Sequence, residues 1–288
     1  MMDYVPHQSN PHTNWKSVAI ESYCASSSSE DIKENVRNTY GGVAEANEKG
    51  QSCGITNSCC GAPAEVDVNY ALQLGYSEED VASVCSTANM GLGCGNPQKI
   101  AGLKTGESVL DLGAGGGFDV FLAARKVGPT GKAIGVDMTP EMIRKARLNA
   151  EKSKITNVEF RLGEIEHLPI ANSSIDVIIS NCVINLSTEK RQVFNEAFRV
   201  LKDGGRLAIS DIVATQPMPD SIKNDLRLHS ACIAGAMGID EVKEALQAAG
   251  FKDIKITPKK ESRIFIKNWA PNEGVENYVV SAEITARK

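Results

Sequence analysis

The chain has 288 residues, 42% of them hydrophobic, and a formal net charge of −5, enough apolar material for one large domain with a small appendage. It has no block of Lys or Arg to track a phosphate backbone or an anionic membrane, so nucleic acid and lipid are excluded as partners. No apolar run approaches the roughly 20 residues that span a bilayer, and MMDYVPHQSNPHTNW lacks the charged and apolar regions of an export signal. A cytoplasmic protein is expected, its eight cysteines reduced and free for chemistry.

Residues 1–30 mix Pro, Asn, His and Ser without pattern and are expected to form a mobile leader. Residues 31–100 are expected to form an N-terminal cap. In it Ile32 and Val36 stand at helical spacing, Tyr40-Gly41-Gly42 is expected to break that helix, and SCGITNSCCGAP supplies a Cys-rich segment. Between residues 101 and 214 short apolar runs alternate with amphipathic ones. SVLDL, AIGVD, VEFRL, IDVIIS and RLAISDIV read as strands, and FDVFLAARKV, TPEMIRKARLNAEK and EKRQVFNEAFRVLK carry helical stripes. This alternation predicts an α/β fold built on a Rossmann-like, doubly wound, seven-stranded sheet. Residues 215–288 add the helix VKEALQAAG, the strand KDIKIT and, in NYVVSAEITARK, a last strand expected to return antiparallel. This C-terminal α+β extension is expected to complete the sheet and cover the substrate site.

Asp111 and the glycines that follow it, Gly113 and Gly115 to Gly117, stand after the first strand and open a helix, where backbone can approach a nucleotide at the sheet edge. A dinucleotide fingerprint wants a third glycine where Phe118 stands, so the spacing favours an adenosyl ligand without a pyrophosphate and disfavours a nicotinamide enzyme. Asp137 ends the second strand, placed to accept ribose hydroxyls; a solvated strand end or a helix cap is its plainer reading. Cys182 directly follows the fourth strand, Cys94 lies between glycines, and Cys232 lies in the segment after strand five. Each also reads as a small buried hydrophobe. Zinc is disfavoured, because Cys53, Cys59 and Cys60 lack a C-x2-C pair.

DLGAGGGFD, GVDMTPEM, GEIEHLP and ISNCVINL resemble the ordered motifs of class I S-adenosylmethionine methyltransferases over residues 107–213. Together with YGGVAEA, SCCGAP, ANMGLGCGNP and CIAGA, they make the chain similar to the arsenite S-adenosylmethionine methyltransferases over roughly residues 32–288. The resemblance implies that Gly113 and Gly115, with Asp111, lie under the methionine of the cofactor, and that Asp137 and Met138 hold its ribose and adenine. By the same resemblance Glu164 and Ile165 flank the adenine, Asn181 lines the methyl end, and Tyr40 with Gly41 caps the cofactor. Cys94, Cys182 and Cys232 would bind As(III), whose lone pair needs no general base to attack a sulfonium methyl. Cys60, in preference to Cys53 or Cys59, would relay electrons as a disulfide forms, and thioredoxin or glutathione would restore the thiols. Cys24 and Cys85 carry no assigned role, and a monomer is expected.

Beside a sulfonium Cys182 is expected to titrate below a free thiol. Two other classes bear on the same residues. Methylation of a small organic acceptor calls for a base, with His229 ahead of His167. A non-enzymatic arsenic-binding thiol protein would not need an intact glycine loop.

Overall fold

The computed structural model describes residues 28–48 and 64–288; the leader with Cys24 and the segment with Cys53, Cys59 and Cys60 lie outside the described residues. Seven strands form one sheet: β1 (Ser108–Leu112), β2 (Lys132–Asp137), β3 (Val158–Leu162), β4 (Ile175–Asn181), β5 (Leu201–Ala214), β6 (Lys252–Lys259) and β7 (Val279–Arg287). Their order is β3-β2-β1-β4-β5-β7-β6. The first five run parallel, and β7 inserts antiparallel between β5 and β6. The order of strands therefore switches sides at β1, with β2 on one side and β4 on the other, which opens the crevice where open α/β sheets bind ligands.

Among the described residues, four α-helices precede the sheet: α1 (Ser29–Glu48), α2 (Ala64–Gln73), α3 (Glu78–Ala82) and α4 (Pro97–Ala101). Helices α5 (Phe118–Val127), α6 (Pro140–Ser153) and α7 (Lys190–Val200) connect its parallel strands. After β5 come α8 (Asp220–Lys223), α9 (Leu226–Ser230), α10 (Ile239–Ala249) and, between β6 and β7, α11 (Arg263–Ile266). Successive strand residues point to opposite faces, and both faces are apolar. Leu110 and Leu112 pack with Val193 and Phe194 of α7 and Leu246 of α10. Val109 and Val177 pack on the other side with Phe121 of α5 and Ile143 of α6.

The expected break at Gly41-Gly42 does not occur, and α1 continues to Glu48. Gly41 is buried against α6, and a Cβ on it would stand 3.2 Å from the Glu141 Oε2. A mid-helix glycine costs about 1 kcal/mol relative to alanine; here it lets two helices approach, and α1 lies across α6 and α9.

Candidate active site at the carboxyl edge of the sheet

A cavity of about 460 Å³ opens beyond β1, β2 and β4, roofed by α1 and flanked by α2 and α11. Its floor is the glycine loop. Gly113 and Gly115 take φ of +71° and +50°, a conformation costly for residues with a Cβ. A Cβ on Gly113 would also lie 2.3 Å from the Val183 Cγ2. The amide of Gly115 donates to Asp137 Oδ2 (2.9 Å), and that of Thr139 to Asp137 Oδ1 (2.9 Å), which fixes the carboxylate at the end of β2.

Asp111, Asp119 and Asp137 all face this space and are buried. Burial, then the charges of Asp119 and Asp137, push Asp111 well above the ordinary carboxylate range. Burial likewise raises Asp119 to about 6 and raises Asp137. Crowded acids of this kind favour a cationic ligand. A flat cradle of glycines beside three carboxyls fits S-adenosylmethionine, which carries a sulfonium, an ammonium and a ribose.

Tyr40, Met138, Ile165 and Asn181 also line the cavity. Gly41 and Glu164, expected beside the cofactor, do not: Gly41 packs on Glu141, and Glu164 is engaged by Lys33 (2.8 Å) and Arg37 (3.6 Å) of α1. Glu166, two residues on, lines the cavity instead.

Cys182 and Cys232 line the cavity, and the Cys94 thiol, which does not line it, meets Cys182 beside it. Cys94, Cys182 and Cys232 are all buried. The Sγ atoms of Cys94 and Cys182 and a carboxylate oxygen of Asp211 lie within 4.8 Å of one another. Cys232 Sγ donates to the Cys182 carbonyl at 2.7 Å, and hydrogen bonds with the Cys232 and Cys94 thiols, then burial, push Cys182 well above the usual thiol range. Before a cation arrives, then, Cys182 sits opposite to the direction expected beside a sulfonium. Cys182 and Cys232 take φ of +60° and +61°. Such conformations cost about 1–3 kcal/mol each and persist only where surrounding structure imposes them.

Several residues of this site were missed in the sequence. Asp211, in β5, accepts from Ile184 N (2.9 Å), Asn185 Nδ2 (2.9 Å) and Ile212 N (2.7 Å), and burial raises it to about 6. Tyr70, Phe265 and Trp269 form one wall of the cavity. Tyr70 lies on α2, Phe265 on α11 and Trp269 in the turn after α11, none with a periodic signal, and only the fold brings them together. His229 binds the Leu186 carbonyl through Nε2 (3.1 Å), and burial lowers its pKa; His167 is exposed. Neither lines the cavity.

A parallel sheet with its reversed last strand, a glycine floor and an acid at the end of β2 define a class I S-adenosylmethionine-dependent methyltransferase, and the family description of a methyltransferase domain matches residues 103–250. The chain is 49% identical over 93% of its length to an arsenite methyltransferase of Halobacterium salinarum, of which it spans 69%. It is 35% identical over 78% of its length to an arsenite methyltransferase of Aquipseudomonas alcaligenes, of which it spans 63%. The X-ray crystal structure of an arsenic(III) S-adenosylmethionine methyltransferase from Chlamydomonas reinhardtii aligns with a TM-score of 0.56 at 32% identity, covering 79% of this chain and 74% of that one. The chain belongs to the arsenite methyltransferase family.

Proposed function

We infer that the protein transfers a methyl group from S-adenosylmethionine to trivalent arsenic held by Cys94, Cys182 and Cys232. The observation that carries this reading is the meeting of three buried thiols beside a cavity floored by the glycine loop. Thiolates are soft ligands, and three of them match the three open valences of arsenite. When bound, S-adenosylmethionine supplies a methyl on a positively charged sulfur, open to the lone pair of thiolate-bound arsenic.

The protein's own part is placement. Asp137 takes the ribose hydroxyls, Asp111 and the Gly113 to Gly115 backbone hold the methionine end, and Tyr40 with Met138 and Ile165 covers the adenosyl group. Holding both reactants in one cavity replaces a bimolecular encounter. No base is required, in keeping with the occupied His229 ring. Forming the carbon–arsenic bond leaves arsenic two electrons poorer. We assign their return to a pair of protein thiols that close as a disulfide, with Cys60 as the relay. An external dithiol or glutathione then reopens that disulfide.

A monomer in the cytoplasm fits this chemistry, and no helix among the described residues is long and apolar enough to cross a membrane. Incubation with methyl-tritiated cofactor, a thiol reductant and either arsenite or a panel of phenols and amines tests the assignment. Label is expected in methylated arsenic. Label only in an organic acceptor overturns it.

A further inference from the structure

The resemblance puts Asn181 at the methyl end of the cofactor, yet its side chain is occupied elsewhere. Oδ1 accepts from the Cys94 amide at 2.9 Å, and Nδ2 donates to the Gly95 carbonyl at 2.8 Å. Because a backbone N–H only donates and a carbonyl only accepts, these two bonds fix which way the amide faces. Nδ2 also contacts the Tyr76 hydroxyl (3.1 Å), which in turn donates to Asp119.

The segment that bears Cys94 has no helix or strand of its own. It is held by side chains from remote elements: Asn181 at the end of β4, Ser281 of β7, whose Oγ donates to the Cys94 carbonyl (2.7 Å), and Tyr70, which donates to the Gly93 carbonyl (2.9 Å). The glycines on either side of Cys94 are what allow this. A Cβ on Gly93 would lie 2.8 Å from the Asn181 Nδ2, and one on Gly95 would lie 2.8 Å from the Ser210 Oγ.

From this geometry we propose that Asn181 is a positioning residue for the substrate, clamping the Gly93-Cys94-Gly95 backbone so that the third thiol reaches the other two. The proposal rests on the reading that these thiols hold As(III). Cys182 and Cys232 have their own supports, the Ser210 carbonyl for the Cys182 amide (2.8 Å) and the His229 carbonyl for the Cys232 amide (2.9 Å). Loss of Asn181 therefore frees one thiol and leaves a pair.

The test uses the full reduced chain as wild type, Asn181→Ala and Ser281→Ala. Equilibrium dialysis gives the affinities for S-adenosylmethionine, for arsenite and for monomethylarsonous acid, which has only two open valences. Two lost backbone bonds predict about a tenfold or greater loss of arsenite affinity in Asn181→Ala, with cofactor and monomethyl arsenical affinities held within about threefold. Ser281→Ala should move arsenite affinity in the same direction.

Alkylation of each cysteine, mapped by mass spectrometry, is expected to speed up at Cys94 alone. A cofactor affinity that falls while arsenite affinity holds makes Asn181 a cofactor contact and overturns the proposal. Equal losses for arsenite and the monomethyl arsenical, or equal acceleration at all three cysteines, reduce Asn181 to a structural role and also overturn it. Should wild type bind no arsenite, the arsenic reading fails, and the site of faster alkylation still decides what Asn181 holds.

Discussion

Cys182 and Cys232 are held in a backbone conformation that glycine adopts freely and cysteine does not. At each position the thiol is displayed at the expense of local strain, which makes packing alone a poor account of either residue. The strain gives a stability test that needs no substrate. Cys182→Gly and Cys182→Ala both delete the sulfur, but only glycine tolerates a φ of +60°. Glycine is normally the less stable choice; here it should be the more stable of the two by about 1 kcal/mol. Urea unfolding midpoints of the two variants measure the difference, and an alanine variant as stable as the glycine one would show that the turn relaxes. Neither variant is expected to bind arsenite with wild-type affinity.

Helix α1 is tied to both halves of the site. Lys33 and Arg37 reach Glu164 beyond β3, Asn35 Nδ2 donates to Ser230 Oγ (2.9 Å), and the Tyr40 hydroxyl donates to the Ser230 carbonyl (3.0 Å), two residues before Cys232. The hydrogen bond from Lys33 is the main reason the Glu164 carboxyl lies below its ordinary value of 4.5. A carboxyl lowered in the fold contributes stability that is present above 4.5 and lost as acid carries the pH down through the lowered value. Burial alone would lower Lys33, but Glu164 and Glu166 leave it raised, so its contribution is present below 10.5 and lost only in stronger alkali. Hydrogen exchange should therefore show α1 amides losing protection below about pH 4.5, before the sheet opens. Lys33→Ala should weaken cofactor binding about two- to fivefold, the scale of a partly exposed ion pair, and less at high salt. Cofactor affinity indifferent to both salt and Lys33 would detach this helix from the binding step.

A cofactor that binds only the folded chain stabilises the whole molecule. At a hundred times its dissociation constant the gain is about 2.7 kcal/mol, or a rise of about 5–10 °C in the midpoint for a domain of this size. Gly113→Ala, with its Cβ driven into Val183, should abolish that rise. The overall architecture was legible in the order of strands and helices, because a buried parallel sheet writes itself as short apolar runs between striped helices. The glycine loop and the acid at the end of β2 were legible for the same reason, since both lie at strand ends that the pattern locates. What stayed hidden depends on distance in space. Glu164 turned to α1, Asn181 turned to Cys94, and Tyr70, Phe265 and Trp269 met only once α2 and α11 had docked. Gly41 read as a helix end because glycine's two uses, turning the chain and admitting a neighbour, look alike in one dimension.

The placement of β7 between β5 and β6 has a consequence for biosynthesis. During translation β6 emerges from the ribosome with no partner, and β5 keeps an open edge until the later strand slides between them. The hydroxyl of Ser281 that steadies the Cys94 carbonyl arrives with that same strand. A nascent chain halted before residue 279 holds the glycine floor but lacks the hydroxyl that steadies the Cys94 carbonyl, so under the proposed reading arsenite binding waits until the sheet has closed.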